Sequence, residues 1–159
     1  MLMATVVFSV ISLGCEEPTS YEPPVYEVGF NHLDEMLPAA FVPLDAGSSV
    51  PVVKGSQGAW MIVGAVRTNQ FGPEVEKITV EAKLTDAEGK VYAHYRIRRP
   101  LYRYGDGFGY VTDLYLIVEQ AKAEYTFAWD QEDAILILEL EADDGTVLKD
   151  EVLIKTDAV

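Results

Sequence analysis

Histidine, cysteine and tryptophan are scarce in this chain, with two, one and two residues among 159. A single cysteine excludes an intramolecular disulfide. Thiolate and imidazole ligand sets of the kind that hold zinc have too few members to be assembled. No cofactor and no metal are therefore expected. Basic residues are few as well, 12 Lys+Arg against 26 Asp+Glu, which leaves a formal net charge of −14. Such a surface repels nucleic-acid phosphate and has no counterion-release free energy with which to bind it, so nucleic acid is excluded from the expected partners. Also missing is any apolar run of the about 20 residues needed to cross a bilayer. What remains is an ordinary globular composition, 49% hydrophobic and 24% charged. The length suits one domain, which at this size buries roughly 68–70% of the surface of its unfolded chain and needs no covalent staple.

The first residues have a different character. Met1 to Gly14 (MLMATVVFSVISLG) carries no charged side chain, and Cys15 follows at once, before Glu16, Glu17 and Pro18. This apolar stretch suits the central region of a signal peptide. A small residue followed by cysteine at its end resembles the bacterial lipobox, although Ser12 stands where that motif favours leucine. The resemblance implies lipidation of Cys15 on sulfur and cleavage that makes it the new N-terminus. Each buried acyl methylene then adds about 0.8 kcal/mol of membrane affinity. The implied location is the cell envelope, at the outer membrane on its periplasmic or surface face. The competing reading is a buried N-terminal strand in which Cys15 is a small core residue.

Residues 15–40 read as a tether. Pro18, Pro23 and Pro24 favour extended chain, and Glu16, Glu17, Glu22, Glu27, Asp34 and Glu35 repel one another with no Lys or Arg among them. A helical turn capped by Asn31 is expected over residues 31–37. His32 has no ligand cluster near it in sequence and reads as a solvated linker histidine.

Residues 41–159 alternate with period two. Ile78, Val80, Ala82 and Leu84 interleave with polar residues, and Asp86-Ala87-Glu88-Gly89 follows as a turn. Val91, Ala93, Tyr95 and Ile97 resume the pattern. Ala134, Leu136, Leu138 and Leu140 form another such face, Asp143-Asp144-Gly145 turns the chain, and Val152 and Ile154 point inward from a last strand over residues 147–155. Residues 58–68 are apolar on both parities, as in a strand covered on both sides. Further strands are expected over 108–119 and 125–129. The pattern predicts an all-β fold, an antiparallel immunoglobulin-like β-sandwich of seven or eight strands.

One stretch stands out chemically. Residues 92–110 (YAHYRIRRPLYRYGDGFGY) hold four of the twelve basic residues, interleaved with aromatics. Strand parity places Tyr92, His94, Arg96 and Arg98 on one face, with Tyr102, Arg103 and Tyr104 following. Guanidinium forks recognise carboxylates and phosphates, and aromatic rings stack on sugars. These seven residues are the candidate site for a glycan or another anion. The plainer reading is a solvated strand face whose arginines pair with neighbouring acids. Gly105, Gly107 and Gly109 precede a strand, not the helix N-terminus that a phosphate loop requires. The acidic clusters Asp86/Glu88, Asp130/Glu132/Asp133 and Asp143/Asp144 offer the oxygen ligands that calcium favours, but they lack EF-hand spacing and read as strand-ending turns. No Gly-x-Ser-x-Gly elbow is present, and His94 is the sole histidine of the domain. The chain therefore reads as a non-catalytic module with a structural or protein-interaction role, and a hydrolase built on two carboxylates is the remaining alternative. The expected partners are a membrane, through the anchor, and an envelope protein or glycan.

Lys54-Gly55-Ser56-Gln57-Gly58-Ala59-Trp60-Met61, with Arg67 beyond it, resembles a segment of predicted lipoproteins of Gram-negative bacteria. Those proteins read Gly-x-Gln-Gly-Gly-x-His, with an arginine six residues past the histidine, at the start of a sandwich strand. Here Ala59 replaces a glycine and Met61 the histidine. The short tether, the Asp-Gly hairpin and a final strand that contains Asp150-Glu151-Val152 are similar too. The resemblance implies a lipid anchor, a tether and a sandwich domain, and brings no activity with it.

Overall fold

The computed structural model describes residues 23–31, 37–55, 57–118 and 132–158. Cys15 and the segment before it, most of the tether, His32 and the strand expected over 125–129 lie outside the described residues. Ten strands follow in chain order: β1 (Tyr26–Asn31), β2 (Phe41–Pro43), β3 (Ser48–Lys54), β4 (Trp60–Thr68), β5 (Lys77–Thr85), β6 (Val91–Pro100), β7 (Tyr102–Arg103), β8 (Gly109–Ile117), β9 (Asp133–Glu141) and β10 (Val147–Ala158). Among the described residues there is no helix, so the all-β expectation holds.

The strands form one curled sheet in the order β2-β1-β4-β3-β10-β9-β5-β6, with β8 paired to β4 and β7 to β8. Every pair is antiparallel except β3 with β10. Strand β3 joins the two halves of the curl. Its first residues run parallel to β10, and Val53 and Lys54 pair with β4. The halves face each other across one core, with Val28, Ile62, Val66, Leu114 and Leu116 on one side and Ile78, Val80, Leu84, Leu136, Leu138 and Ile154 on the other. Each such side chain is worth about 1.5–3 kcal/mol in burial.

Alternation is followed closely where one face is wet. Ala134, Leu136, Leu138 and Leu140 of β9 are buried, as are Val152 and Ile154 of β10. Strand β4 is buried on both parities because it lies beneath a second cluster. Ala65 on its outer face packs with Phe41 and Tyr110.

Two bulges alter the parity that the sequence implies. In β8 the register slips between Gly64 and Val66 of β4, which adds one residue around Thr112 and Asp113. Asp113 takes φ 57° there, a left-handed conformation that aspartate tolerates better than most residues. The extra residue brings both Val111 and Leu114 to the core, three apart rather than two. In β6 the slip lies between Leu84 and Thr85, where Ala93 and Val91 are successive partners and Tyr92 is the inserted residue. Val91, expected inward, is exposed, and Tyr92, expected on the wet face, packs against the core.

Residues 26–31, expected within the tether, are a strand paired with β4, and the helical turn expected over 31–37 lies mostly outside the described residues. Tyr26, Val28 and Phe30 turn toward the core while Glu27 and Gly29 face outward. The Tyr26 hydroxyl crosses the core to donate to the Leu138 carbonyl at 2.8 Å. Burial, with Asp150 and Glu139 adding negative charge, pushes its pKa up strongly. Gly29 is required by close approach: a Cβ there would lie 2.6 Å from the Phe41 ring and press on the Val42 carbonyl. Gly29→Ala is expected to cost about 1–3 kcal/mol and to loosen β2 first. Thermal unfolding, with amide exchange at Phe41 and Val42, measures both effects.

Candidate functional site

Three of the seven sequence-predicted site residues share a face. His94, Arg96 and Arg98 project from β6 with side chains 51%, 56% and 54% exposed. Strand β5 sets Glu81 opposite Arg96, and β9 sets Glu139 opposite Glu81. Glu81 receives Lys83 Nζ at 2.5 Å, Arg96 Nη1 at 3.0 Å and His94 Nε2 at 3.2 Å. Arg96 reaches across to Glu141 at 3.2 Å, and Arg98 to Asp143 at 2.5 Å. The hydrogen bond from Lys83, aided by His94, holds the Glu81 carboxyl below the usual carboxylate range. These are cross-strand ladders of opposite charge, and each exposed pair is worth about 0–1 kcal/mol.

The other predicted residues lie elsewhere. The Tyr92 hydroxyl donates to Asp86 at 2.6 Å beside the β5–β6 turn. After Pro100 the chain moves to the opposite half of the curl. Tyr102 and Arg103 pair with β8, the Arg103 guanidinium donates to the carbonyls of Phe71 and Gly72, and Tyr104 meets Tyr110 edge to face at 5.8 Å. The stretch 92–110 is thus divided between two faces of the described structure. Arg99, between the two parts, donates to Tyr95 Oη and to the Asp113 carbonyl at the β8 bulge.

A cluster that sequence reasoning did not single out surrounds Arg67 on the outer face of β4. Its Nε donates to Glu27 at 2.7 Å, and its guanidinium lies 4.8 Å from the Phe108 ring and 5.2 Å from that of Phe41. Burial works against this charge, but the Glu27 hydrogen bond and attraction, with Tyr110 contributing, raise its pKa. The Tyr110 hydroxyl donates to Asp106 at 2.6 Å. Burial and that bond push Tyr110 up to about 12. For Asp106, burial acts in the opposite sense to the Tyr110 hydrogen bond, and the net effect is a lowered pKa. The cluster ties β1, β2, β4 and β8 together, with cation–π contacts of about 0.5–2 kcal/mol each. Arg67 itself is visible in the sequence, as a lone arginine ending an apolar run and as part of the resemblance noted above, but its partners are not.

Two concavities among the described residues bear on the site. One, of ≈ 430 Å³, is lined by Glu74, Glu76, Lys77, Arg98, Asp143 and Asp144. The other, of ≈ 370 Å³, lies against Gly55, Gln57, Ala59, Met61, Tyr115 and Ile117, the glycine-rich turn that carries the resemblance noted above. No group of three His, Cys, Asp or Glu side chains is arranged to hold a metal ion among the described residues. The turn acids are used locally: Asp86 accepts from the Lys90 amide and Asp144 from the Thr146 amide.

No family model matches the sequence, and no curated protein matches it. Among solved structures, CopC from Methylosinus trichosporium OB3b is 11% identical, covering 72% of this chain and 86% of its own, with a TM-score of 0.35. A DUF4466 family protein from Parabacteroides merdae ATCC 43184 is also 11% identical, covering 82% of this chain and 44% of its own, with a TM-score of 0.30.

Proposed function

We propose that this chain is a lipid-anchored cell-envelope protein whose domain, an immunoglobulin-like sandwich, is a non-catalytic interaction module. The observation that carries the reading is the uncharged run Met1–Gly14 ending on Cys15, followed by an acidic, proline-bearing segment that leads to β1. The sandwich reading is supported by the pairing of β4 with β8, by the run β5-β9-β10, and by β3 dividing its partners between β4 and β10. A non-catalytic role is supported by how the reactive-looking groups are used. Arg96, Arg98, Arg99 and Arg103 all have partners within the fold. The described turn acids Asp86 and Asp144 accept hydrogen bonds from their own turns.

The test is fractionation of expressing cells with metabolic fatty-acid labelling. Wild-type protein is expected in the membrane fraction and labelled. Cys15→Ser should abolish the label and either release the protein or leave an uncleaved precursor. Unlabelled, cytosolic wild-type protein would refute the reading.

A further inference from the structure

We infer that the outer edge of β6, which pairs with no second strand among the described residues, takes up an extended acidic peptide segment as an additional strand. The inference rests on the reading of the domain as an interaction module and gives that module a partner class.

Strand β6 ends the sheet order, with β5 as its sole ladder partner among the described residues. Which backbone groups face outward follows from the register. The Leu101 amide donates to the Glu76 carbonyl at 2.8 Å, and Pro100 lies opposite Lys77. Hydrogen-bonded pairs alternate along an antiparallel ladder, so Arg99, Ile97 and Tyr95 bond to β5. The amides and carbonyls of Arg98, Arg96 and His94 then point away from the sheet. Pro100, which has no N–H to offer, occupies the outward position next in line, where proline is tolerated.

The residues with outward backbone groups are also the ones whose basic side chains stand on the solvent face. An incoming antiparallel strand would place a residue directly opposite each of His94, Arg96 and Arg98, on that same face. Carboxylates at those alternate positions would meet three basic side chains in register. The rows beneath already follow this logic, since Glu81 on β5 and Glu141 on β9 hold Arg96. Donors remain for more: a guanidinium carries five N–H groups, and Arg98 gives one nitrogen to Asp143. Apolar residues at the intervening positions would cover Tyr95 and Ile97, which the edge leaves half-buried.

The charge pattern also selects the occupant. Two copies pairing β6 to β6 would set arginine against arginine, a device that keeps edges from self-association. The row that rejects a second copy accepts an acidic strand, as in other cases of strand addition, where backbone bonds supply affinity and alternate side chains supply choice.

The experiment is amide exchange by NMR on the full-length protein in nonionic detergent, titrated with an end-capped Val-Glu-Val-Glu-Val-Glu-Val peptide. In the free protein the His94, Arg96 and Arg98 amides should exchange quickly. At saturation they should slow by about tenfold or more, while Tyr95 and Ile97, already bonded to β5, keep their rates. A peptide with Lys in place of Glu, and one N-methylated at the three Glu amides, should give no protection. Arg96→Gln with Arg98→Gln should weaken binding roughly three- to tenfold. Equal binding of the N-methylated peptide would overturn the inference, and so would a wild-type edge that stays unprotected. An edge protected before any peptide is added would mean that a second copy or the chain's own acidic segment occupies it, which overturns it as well. Failure here with membrane anchoring intact refutes the edge assignment alone, since fractionation judges the anchor independently.

Discussion

Replacing Leu138 by alanine will cost about 2–5 kcal/mol of stability, among the largest losses available to a single substitution here. Leu138 is fully buried at the centre of β9, between β5 and β10, and belongs to the core that joins the two halves of the curl. Its carbonyl also accepts the Tyr26 hydroxyl, so any local relaxation of β9 toward the void disturbs that bond from β1. Truncation removes transfer free energy and leaves a cavity that the rigid sheet fills only in part. Lys83→Ala, on the wet face of β5, should stay within about 0.5 kcal/mol. Urea unfolding of both variants measures the contrast. Equal costs at the two positions would mean that the inward and outward assignments of β5 and β9 are wrong.

Tyr110→Ala should be comparably severe, at about 3–5 kcal/mol. The ring is 1% exposed and meets Phe41 at 5.9 Å and Tyr104 at 5.8 Å, both edge to face. Its loss opens the outer cluster and leaves Asp106 without the Tyr110 hydrogen bond. Tyr110→Phe keeps the packing and removes the hydroxyl, at a cost of about 0.5–1.5 kcal/mol. The pH dependence separates the two contributions. The Tyr110 pKa is raised to about 12 in the fold, against an ordinary value of about 10. Its contribution is fully present below about pH 10 and is lost as pH rises toward about 12. Asp106 behaves oppositely: its pKa is lowered, so its contribution is present above the usual carboxylate range and lost as pH falls below it. Wild-type Tm should therefore fall at both ends, and Tyr110→Phe should flatten the alkaline limb. An alkaline limb unchanged in Tyr110→Phe would show that Tyr110 does not carry it.

The sequence announced some of this architecture and concealed the rest for identifiable reasons. The faces of β5, β9 and β10 were legible because each has one wet side, so burial imprints a strict period of two. The bulges in β6 and β8 were not, because a bulge is a relation between a strand and its partner. That is why alternation alone puts Tyr92 on the charged face and Val91 in the core, the reverse of what the bulge produces. Strand β1 is hidden in the sequence although Tyr26, Val28 and Phe30 alternate, since Pro23, Pro24 and the surrounding acids give the segment the composition of a linker. The arginines of 92–110 were visible as a cluster, but only the turn at Pro100 and Leu101 reveals that they serve two different faces. The Arg67 cluster draws on β1, β2, β4, β8 and the loop that bears Asp106 and Phe108, an assembly that no local pattern encodes.

The central claim, that this domain is held at a membrane through Cys15, is tested most directly by the intact mass of the protein extracted from cell membranes. The account predicts a chain that begins at Cys15 and carries the added mass of thioether-linked diacylglycerol. A membrane-extracted chain that still begins at Met1, or one that begins at Cys15 without lipid, would contradict it.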